Sequence, residues 1–343
     1  MNGNSKVSII TPSFNRADVI HETAISIFHQ TYPFWEWVIT DDGSTDESWE
    51  LLQKYAEKDS RVKIFQRNRE PKGACVCRNI SIEHATGDYL LFLDSDDLMA
   101  SFCLEQRVNT MAQYPEADFV VFPMLMFKHK PDDLRLLWNV DSPLDDIERI
   151  LLGDPVCQGT GTLWRKQSFV KSGMWNEKLL LWQDVELHLR VLLQGLQYIK
   201  CLDLRPDVFL RISDISLSRT QYHSLPKFLS RLQVLKATTE AVLQKNMMNK
   251  YKVGIQHMFT DLFMNATGNN YHRQVQELLE LQKSWFLFTP TEQRNLKYYA
   301  FVRKFRFYKI PLVQKMSLKN LSKGLSSNES SLNRIYYTKN IQL

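Results

Sequence analysis

Long apolar runs are missing from this sequence. The longest, Phe119 to Phe127, falls far short of the ~18 residues that suggest a membrane span, so a soluble or peripheral protein is expected. Cysteine is scarce: five residues, an odd number, in a chain of 343. That argues against a disulfide framework and fits a reducing cytoplasm. Cys75 and Cys77 stand too close for an ordinary bridge, and a lone Cys-x-Cys is a weak metal signal. The start of the chain shows no basic-then-apolar leader and enters a strand at Val7. No internal repeat or low-complexity tract is present. The longest stretch without acids is also strongly basic: between Arg294 and Lys323 stand nine Lys or Arg residues and no Asp or Glu. The overall formal charge is a mild +5, and no nucleic-acid-binding motif accompanies it, so no nucleic-acid partner is expected.

The remaining composition is that of a packed globular protein, 44% hydrophobic and 12% aromatic. Its length allows one large domain with an appendage, or two domains. Short apolar runs alternate with helical patterns. Strands are expected at Lys6–Thr11, Glu36–Thr40, Val62–Phe65, the run from Tyr89, and Ala117–Phe122. Helices are expected near 19–30, after Thr45, at 74–85 and at 102–114. That order predicts a mostly parallel sheet covered on both faces. From Lys128 to Gly161 turn signals surround one short helix; Thr162–Arg165 then reads as a strand handing over to a helix. A strand pair is expected at Tyr198–Cys201 and Val208–Arg211. From Leu225 to about Phe307 the periodicity is helical, so the chain divides into residues 1–222 and a helical region, 223–343, with a basic, aromatic end.

The stretch Tyr89-Leu-Leu-Phe-Leu-Asp94-Ser95-Asp96-Asp97 organises the rest. An apolar strand ends there in three carboxylates, and in open α/β sheets ligands bind beyond such strand ends. In an extended segment i and i+2 point the same way, so Asp94 and Asp96 can offer two hard oxygens to Mn²⁺ or Mg²⁺ carrying substrate phosphates. The competing reading makes Asp96 or Asp97 the cap of a helix starting near Leu98. Asp41 and Asp42 follow the second strand; for Asp42 a turn residue bonding its own backbone is the better reading. Phe14 lies beyond the first strand, as a base-stacking aromatic or a core residue. Together these ends suggest a nucleotide pocket. Further on, Gln183-Asp184-Val-Glu186 opens an amphipathic helix. Asp184 there is a helix cap or a catalytic acid, whereas Glu186 and Arg190 read as an i,i+4 ion pair. Gly159-Thr-Gly161 lacks the context of a phosphate loop. Trp164, Trp175 and Trp182 are candidate ligand-stacking surfaces, or core. The basic aromatic end reads equally as a membrane-facing surface or a solvated face.

Taken in order, Val7-Ser-Ile-Ile-Thr-Pro-Ser-Phe-Asn15, Thr40-Asp-Asp-Gly-Ser-Thr-Asp46, Cys77-Arg78-Asn79, Ala85 to Asp97 and Gln183-Asp-Val-Glu186 resemble the family 2 glycosyltransferases of GT-A fold. The likeness spans about Val7 to Ser218. It implies that Pro12 and Phe14 flank the base, Asp41 accepts the uracil N–H, and Arg78 approaches the diphosphate. It further implies that Asp94-Ser95-Asp96 is the DxD motif, binding metal and nucleotide, and that Asp184 is the general base of an inverting transfer. The implied reaction moves a sugar, from a UDP-sugar by preference, to a glycan or lipid-linked glycan. The implied setting is bacterial surface-polysaccharide synthesis at the cytoplasmic membrane face. Gln183 stands where the family often has an acid, and Ser213 where many members have a histidine; the nearby His223 is a substitute in reach, but a surface histidine is its better reading. A sugar-phosphate nucleotidyltransferase would be expected to carry a glycine-rich loop near its start, and Pro12 to Asp18 has no glycine. A non-catalytic nucleotide- or glycan-binding protein of the same fold is the remaining alternative.

Overall fold

The computed structural model describes residues 5–212 and 220–322. They form two compact units. The first holds the described residues up to Ser142 and those from Val156 onward through 212; the second holds Pro143–Pro155 and 220–322.

The strands of the first unit are β1 (Val7–Ser13), β2 (Trp35–Asp41), β3 (Val62–Gln66), β4 (Tyr89–Phe92), β5 (Leu98–Met99), β6 (Phe119–Val121), β7 (Met124–Phe127), β8 (Leu136–Leu137), β9 (Thr162–Arg165), β10 (Tyr198–Lys200) and β11 (Val208–Arg211). A seven-stranded sheet runs β10-β6-β9-β4-β1-β2-β3, parallel except at β9, which pairs antiparallel with β4 and β6. The order matches a mostly parallel sheet with the third strand at its edge. Its inner strands are buried on both faces, whereas the edge strands β3 and β10 are largely half-buried, and the period-2 alternation sorts the inner side chains into two cores. Val7 and Ile9 of β1, Trp37 of β2 and Leu91 of β4 enter one. Ile10, Val38, Leu90 and Phe92 enter the other.

Helices α1 (Ile20–Phe28), α2 (Ser48–Lys58), α3 (Ala74–His84), α4 (Cys103–Gln113), α6 (Lys166–Lys171) and α7 (Gln183–Gln194) accompany this sheet; α5 (Asp146–Leu151) belongs to the second unit. The chain enters β4 through Gly87, where a Cβ would stand 2.7 Å from the Lys6 carbonyl and from Ser8 Oγ, so only glycine fits. Beside that point Glu36 is fully buried in β2. It accepts from Ser8 Oγ (2.6 Å), Thr86 N (2.5 Å), Lys6 Nζ (2.8 Å) and Lys63 Nζ (2.7 Å). Burial pushes its pKa up, but these four donors outweigh burial and hold it far below the usual carboxylate range.

A second sheet, β5-β11-β7-β8, departs from the sequence expectation. The apolar run from Phe119 breaks at Pro123, and its halves, β6 and β7, enter different sheets. The expected strand pair does not form: β10 joins β6, while β11 joins β5 and β7. Leu98 starts no helix; it lies in β5, and the next helix begins at Cys103. A fully buried ion pair fastens this region: Arg107 of α4 meets Asp207, just before β11, at 2.7 Å. All five cysteines are buried free thiols.

In the second unit, α5 packs on α9 (Met248–Gly268), with Lys250 paired to Asp145 at 2.9 Å. Around them stand α8 (Leu225–Gln244), α10 (His272–Ser284), α11 (Pro290–Lys304) and α12 (Pro311–Ser322). The expected breaks near 268–270 and 289–290 occur, and α11 opens with a capping box between Thr289 and Glu292. Among the described residues no helix is long and apolar enough to cross a membrane.

Candidate active site

The loops after β1, β2 and β4 and the first turn of α7 carry the residues singled out above. Asp41 ends β2 and turns its carboxylate back on the following loop. Oδ2 accepts from Gly43 N (2.9 Å) and Ser44 N (2.8 Å), and Oδ1 from Ser44 Oγ (2.5 Å). The self-bonded turn expected of Asp42 therefore belongs to Asp41. Asp42 instead forms an ion pair with Arg67 at 2.6 Å. Nor does Ser44 or Thr45 cap α2: Ser44 serves Asp41, and the Thr45 amide donates to Asn15 Oδ1 at 2.8 Å. A carboxylate has about four lone-pair sites, so Asp41 keeps capacity for one more donor. Pro12 and Phe14 are both half-buried at the end of β1 and in the loop beyond. The Phe14 ring is no core residue; Lys72 Nζ stands 3.5 Å above its centroid.

Beyond β4, Asp94 is substantially exposed (44% of its side chain) and receives Arg78 Nη2 on Oδ1 at 2.6 Å. Asp96 lies more deeply, 4.0 Å from Arg16. Ser95 is buried and accepts on its carbonyl from Thr23 Oγ1 at 3.1 Å. Asp97 is not a helix cap: its carboxylate accepts from the Arg211 amide at 2.9 Å, tying the loop to β11. Arg211 also donates through Nε to the Asp96 carbonyl (2.9 Å). Burial first, and repulsion from Asp94 second, raise the pKa of Asp96. Burial and then Asp96 and Asp94 raise that of Asp97 further. Three carboxylates thus crowd one loop, with Arg16, Arg78 and Arg211 standing against it.

Among the described residues no three His, Cys, Asp or Glu side chains form a ready-made metal cluster. Two carboxylates nonetheless suit Mn²⁺ or Mg²⁺ when phosphate oxygens and water complete the shell. The repulsion between neighbouring carboxylates is what a cation relieves. The donor set at Asp94 and Asp96 fits such an ion.

Asp184 occupies the first turn of α7, after Trp182 in a left-handed conformation (φ 61°). Its carboxylate does not cap its own helix: Oδ1 accepts from the Gly159 amide, 2.7 Å away, in the 3-10 turn Gly159–Gly161 before β9. Among the described residues its other oxygen has no hydrogen-bond partner. His188, one turn on, is buried with Nδ1 against the Asp184 carbonyl (2.8 Å), and burial lowers its pKa. Arg78 links the two acidic ends of the site. It reaches Asp94 with one terminal nitrogen and Gln183 Oε1, 3.5 Å away, with the other. Its guanidinium packs over Trp175 at 4.7 Å. Burial disfavours its charge, but Asp94 and Asp184 more than restore it, so it stays cationic.

Other candidates fall away from this cluster. Trp164 is fully buried, stacked on Phe119 at 4.0 Å, and Trp175 is buried against Phe92 and Phe169, so neither reaches a sugar. Trp182 stays half-exposed. Glu186 pairs with Arg190 at 2.7 Å as expected. His223 belongs to the second unit, where Tyr271 Oη donates to its carbonyl. Ser213 lies outside the described residues. Sequence reading passed over Arg16, Lys72 and the Gly159 amide. The first two lack a motif of their own, and a backbone amide leaves no residue-type signal.

Residues 8–173 match the family model described as glycosyl transferase family 2. A Bacillus subtilis (strain 168) protein, assigned by name to teichuronic acid biosynthesis as glycosyltransferase TuaG, is 42% identical over 107 residues, 31% of this chain and 42% of its own. The Escherichia coli UDP-Glc:alpha-D-GlcNAc-diphosphoundecaprenol beta-1,3-glucosyltransferase WfaP is 38% identical over 125 residues, 34% of this chain and 49% of its own. Each alignment thus spans under half of the relative. Among solved structures, Staphylococcus aureus TarS 1-349 with UDP-GlcNAc superposes with a TM-score of 0.65 at 17% identity, covering 95% of this chain and 92% of that one. The mannosyltransferase PcManGT of Pyrobaculum calidifontis, with GDP-Man and Mn²⁺, gives 0.52 at 17% identity, covering 95% and 88%. The family match and these relatives support a family 2 glycosyltransferase domain, and the structural likeness supports a GT-A-like fold with a helical C-terminal region.

Proposed function

We propose that this chain is an inverting, metal-dependent glycosyltransferase whose catalytic domain spans about residues 1–222. It transfers a sugar from a nucleotide-sugar, a UDP-sugar by preference, to a glycan or lipid-linked glycan in bacterial surface-polysaccharide synthesis. It works in the cytoplasm or on the inner face of the cytoplasmic membrane. The observation that carries this reading is the bridge made by Arg78, which holds the Asp94 carboxylate and the first turn of α7 that bears Asp184. A diphosphate site and a base are what a single displacement needs side by side. The names of the relatives, a glucosyltransferase acting on a diphosphoundecaprenol-linked sugar among them, support the substrate class. The solved neighbours carry UDP-GlcNAc in one case and GDP-Man in the other, and Asp41 as a uracil N–H acceptor is what favours UDP here.

In this mechanism Phe14 and Pro12 flank the base, Asp41 accepts its N–H, and Asp94 with Asp96 holds a Mn²⁺ or Mg²⁺ ion. Ser95, in sequence between those two carboxylates, is assigned to the nucleotide by the family resemblance alone. When bound, the ion supplies positive charge to the leaving diphosphate. Arg78 adds a permanent positive charge on the same side. Asp184 is fixed through Oδ1 by Gly159, leaving its other oxygen to take the acceptor hydroxyl proton. The acceptor oxygen bonds to the anomeric carbon as the bond to the diphosphate breaks, and the configuration inverts. Calorimetric titration with UDP and GDP, with Mn²⁺ or with EDTA, tests the reading. Metal-dependent UDP binding supports it; no binding of either nucleotide overturns it.

A further inference from the structure

The second unit contains a cavity of about 470 Å³ between α9, α10 and α11, opened by the turn after Lys304. Four of its lining residues, His272, Lys297, Arg303 and Lys304, are basic or ionisable to a cation, and no Asp or Glu lines it. Among the described residues none of Lys297, Arg303 and Lys304 forms an ion pair. Arg303 is the inner member: its Nε is buried without a hydrogen-bond partner, while its guanidinium rests over Tyr308 at 4.4 Å.

Two further lining residues, Phe301 and Phe305, are about half exposed (49% and 53%). Their rings cluster with Phe307, at 4.8 and 5.8 Å from Phe301. Ile310, Leu312 and Met316 continue the exposed apolar surface into α12. Cations around a cavity, with aromatic and aliphatic side chains standing exposed at its rim, match a phosphate head joined to hydrocarbon. They do not match a soluble anion alone, which gains nothing from the rim.

We propose that this cavity binds the phosphate head of an anionic membrane lipid, with Phe301 and Phe305 entering the interface beside it. The proposal gives the membrane-side location a specific site, and its test involves no nucleotide, so it stands or fails apart from the transfer reaction. The basic stretch without acids, from Arg294 onward, supplies the long-range attraction to such a surface.

The experiment is flotation of the full chain with vesicles of phosphatidylcholine, alone or mixed with phosphatidylglycerol, at ~0.1 M salt, where surface charges are screened beyond ~10 Å. Binding is expected only with the anionic lipid. Lys297→Gln with Lys304→Gln, both exposed, should weaken it about tenfold or more, at roughly one factor of five per charge. Phe301→Ser with Phe305→Ser should weaken it comparably. Lys54→Gln with Lys58→Gln, the same charge change on the surface of α2, should leave it unchanged. Circular dichroism melting confirms that each variant is folded, and should one cavity pair unfold, the other decides. Absence of anionic-vesicle binding overturns the proposal, as does equal loss in the α2 pair. Full vesicle binding by the Phe variant, with competition by inorganic pyrophosphate, would mean a site for free phosphate and overturn the lipid assignment.

Discussion

The amide of Gly159 and the carboxylate of Asp184, 25 residues apart in sequence, meet at 2.7 Å. The turn that offers this amide is itself held from below: Arg107 donates to the carbonyls of Thr160 (2.8 Å) and Thr162 (3.2 Å) and pairs with buried Asp207. A buried path thus runs from the second sheet to the proposed base. It fixes one oxygen of Asp184 and, in the proposed mechanism, leaves the other to the acceptor.

If Asp184 is the base, Asp184→Asn keeps the Gly159 contact through its amide oxygen but cannot take a proton. Turnover should fall by about 10²–10⁴-fold, with nucleotide affinity within a factor of about two by calorimetry. Unchanged turnover would remove the role.

Gly159→Ala tests positioning. A Cβ there would lie 3.3 Å from Phe92 Cβ, 3.3 Å from the Trp175 ring and 3.4 Å from Asp184 Oδ1, so the turn must shift by a few tenths of an ångström. The expected result is a kcat about tenfold lower, in the range that small misplacements cost, with the donor KM unchanged. A fall confined to KM would argue for a binding role instead.

Asp96→Asn should remove metal-dependent nucleotide binding. In Mn²⁺ the affinity for UDP should fall about tenfold or more, ~1.4 kcal/mol; in EDTA variant and parent should bind alike. Equal affinity in Mn²⁺ would take Asp96 out of the metal site.

Glu36 gives a pH prediction in the fold. Its folded pKa lies far below the unfolded value of about 4.3. Its contribution is therefore complete above that value and is lost as pH falls towards the folded pKa. Glu36→Gln should be less stable near neutrality, and the gap in urea midpoint should stay constant down to about pH 5 and close below about pH 4. A gap that widened on acidification would contradict this.

Much of the fold was legible because the inner sheet strands are buried on both faces and read as short, mostly apolar runs, as in Val7–Ile10 and Tyr89–Leu93. The second sheet was not. Leu98–Met99 and Leu136–Leu137 are two-residue strands whose pairing is set by partners far along the chain. The site was legible as a set of strand ends, less so in detail. Which of Asp41 and Asp42 folds back on Gly43 depends on the parity of the pleat: one side chain faces the turn and its neighbour faces Arg67. Asp94 and Asp184 were visible as isolated carboxylates. Their link through Arg78 and the hold of Gly159 on Asp184 arise only when β4, α3, β9 and α7 pack together.

The central claim is tested most directly by nucleoside diphosphate release from a panel of UDP-sugars, with Mn²⁺, Mg²⁺ or EDTA, by the parent chain and Asp184→Asn. Metal-dependent release from one donor, abolished by the substitution, is the predicted result. Release that is indifferent both to EDTA and to Asp184→Asn would contradict it.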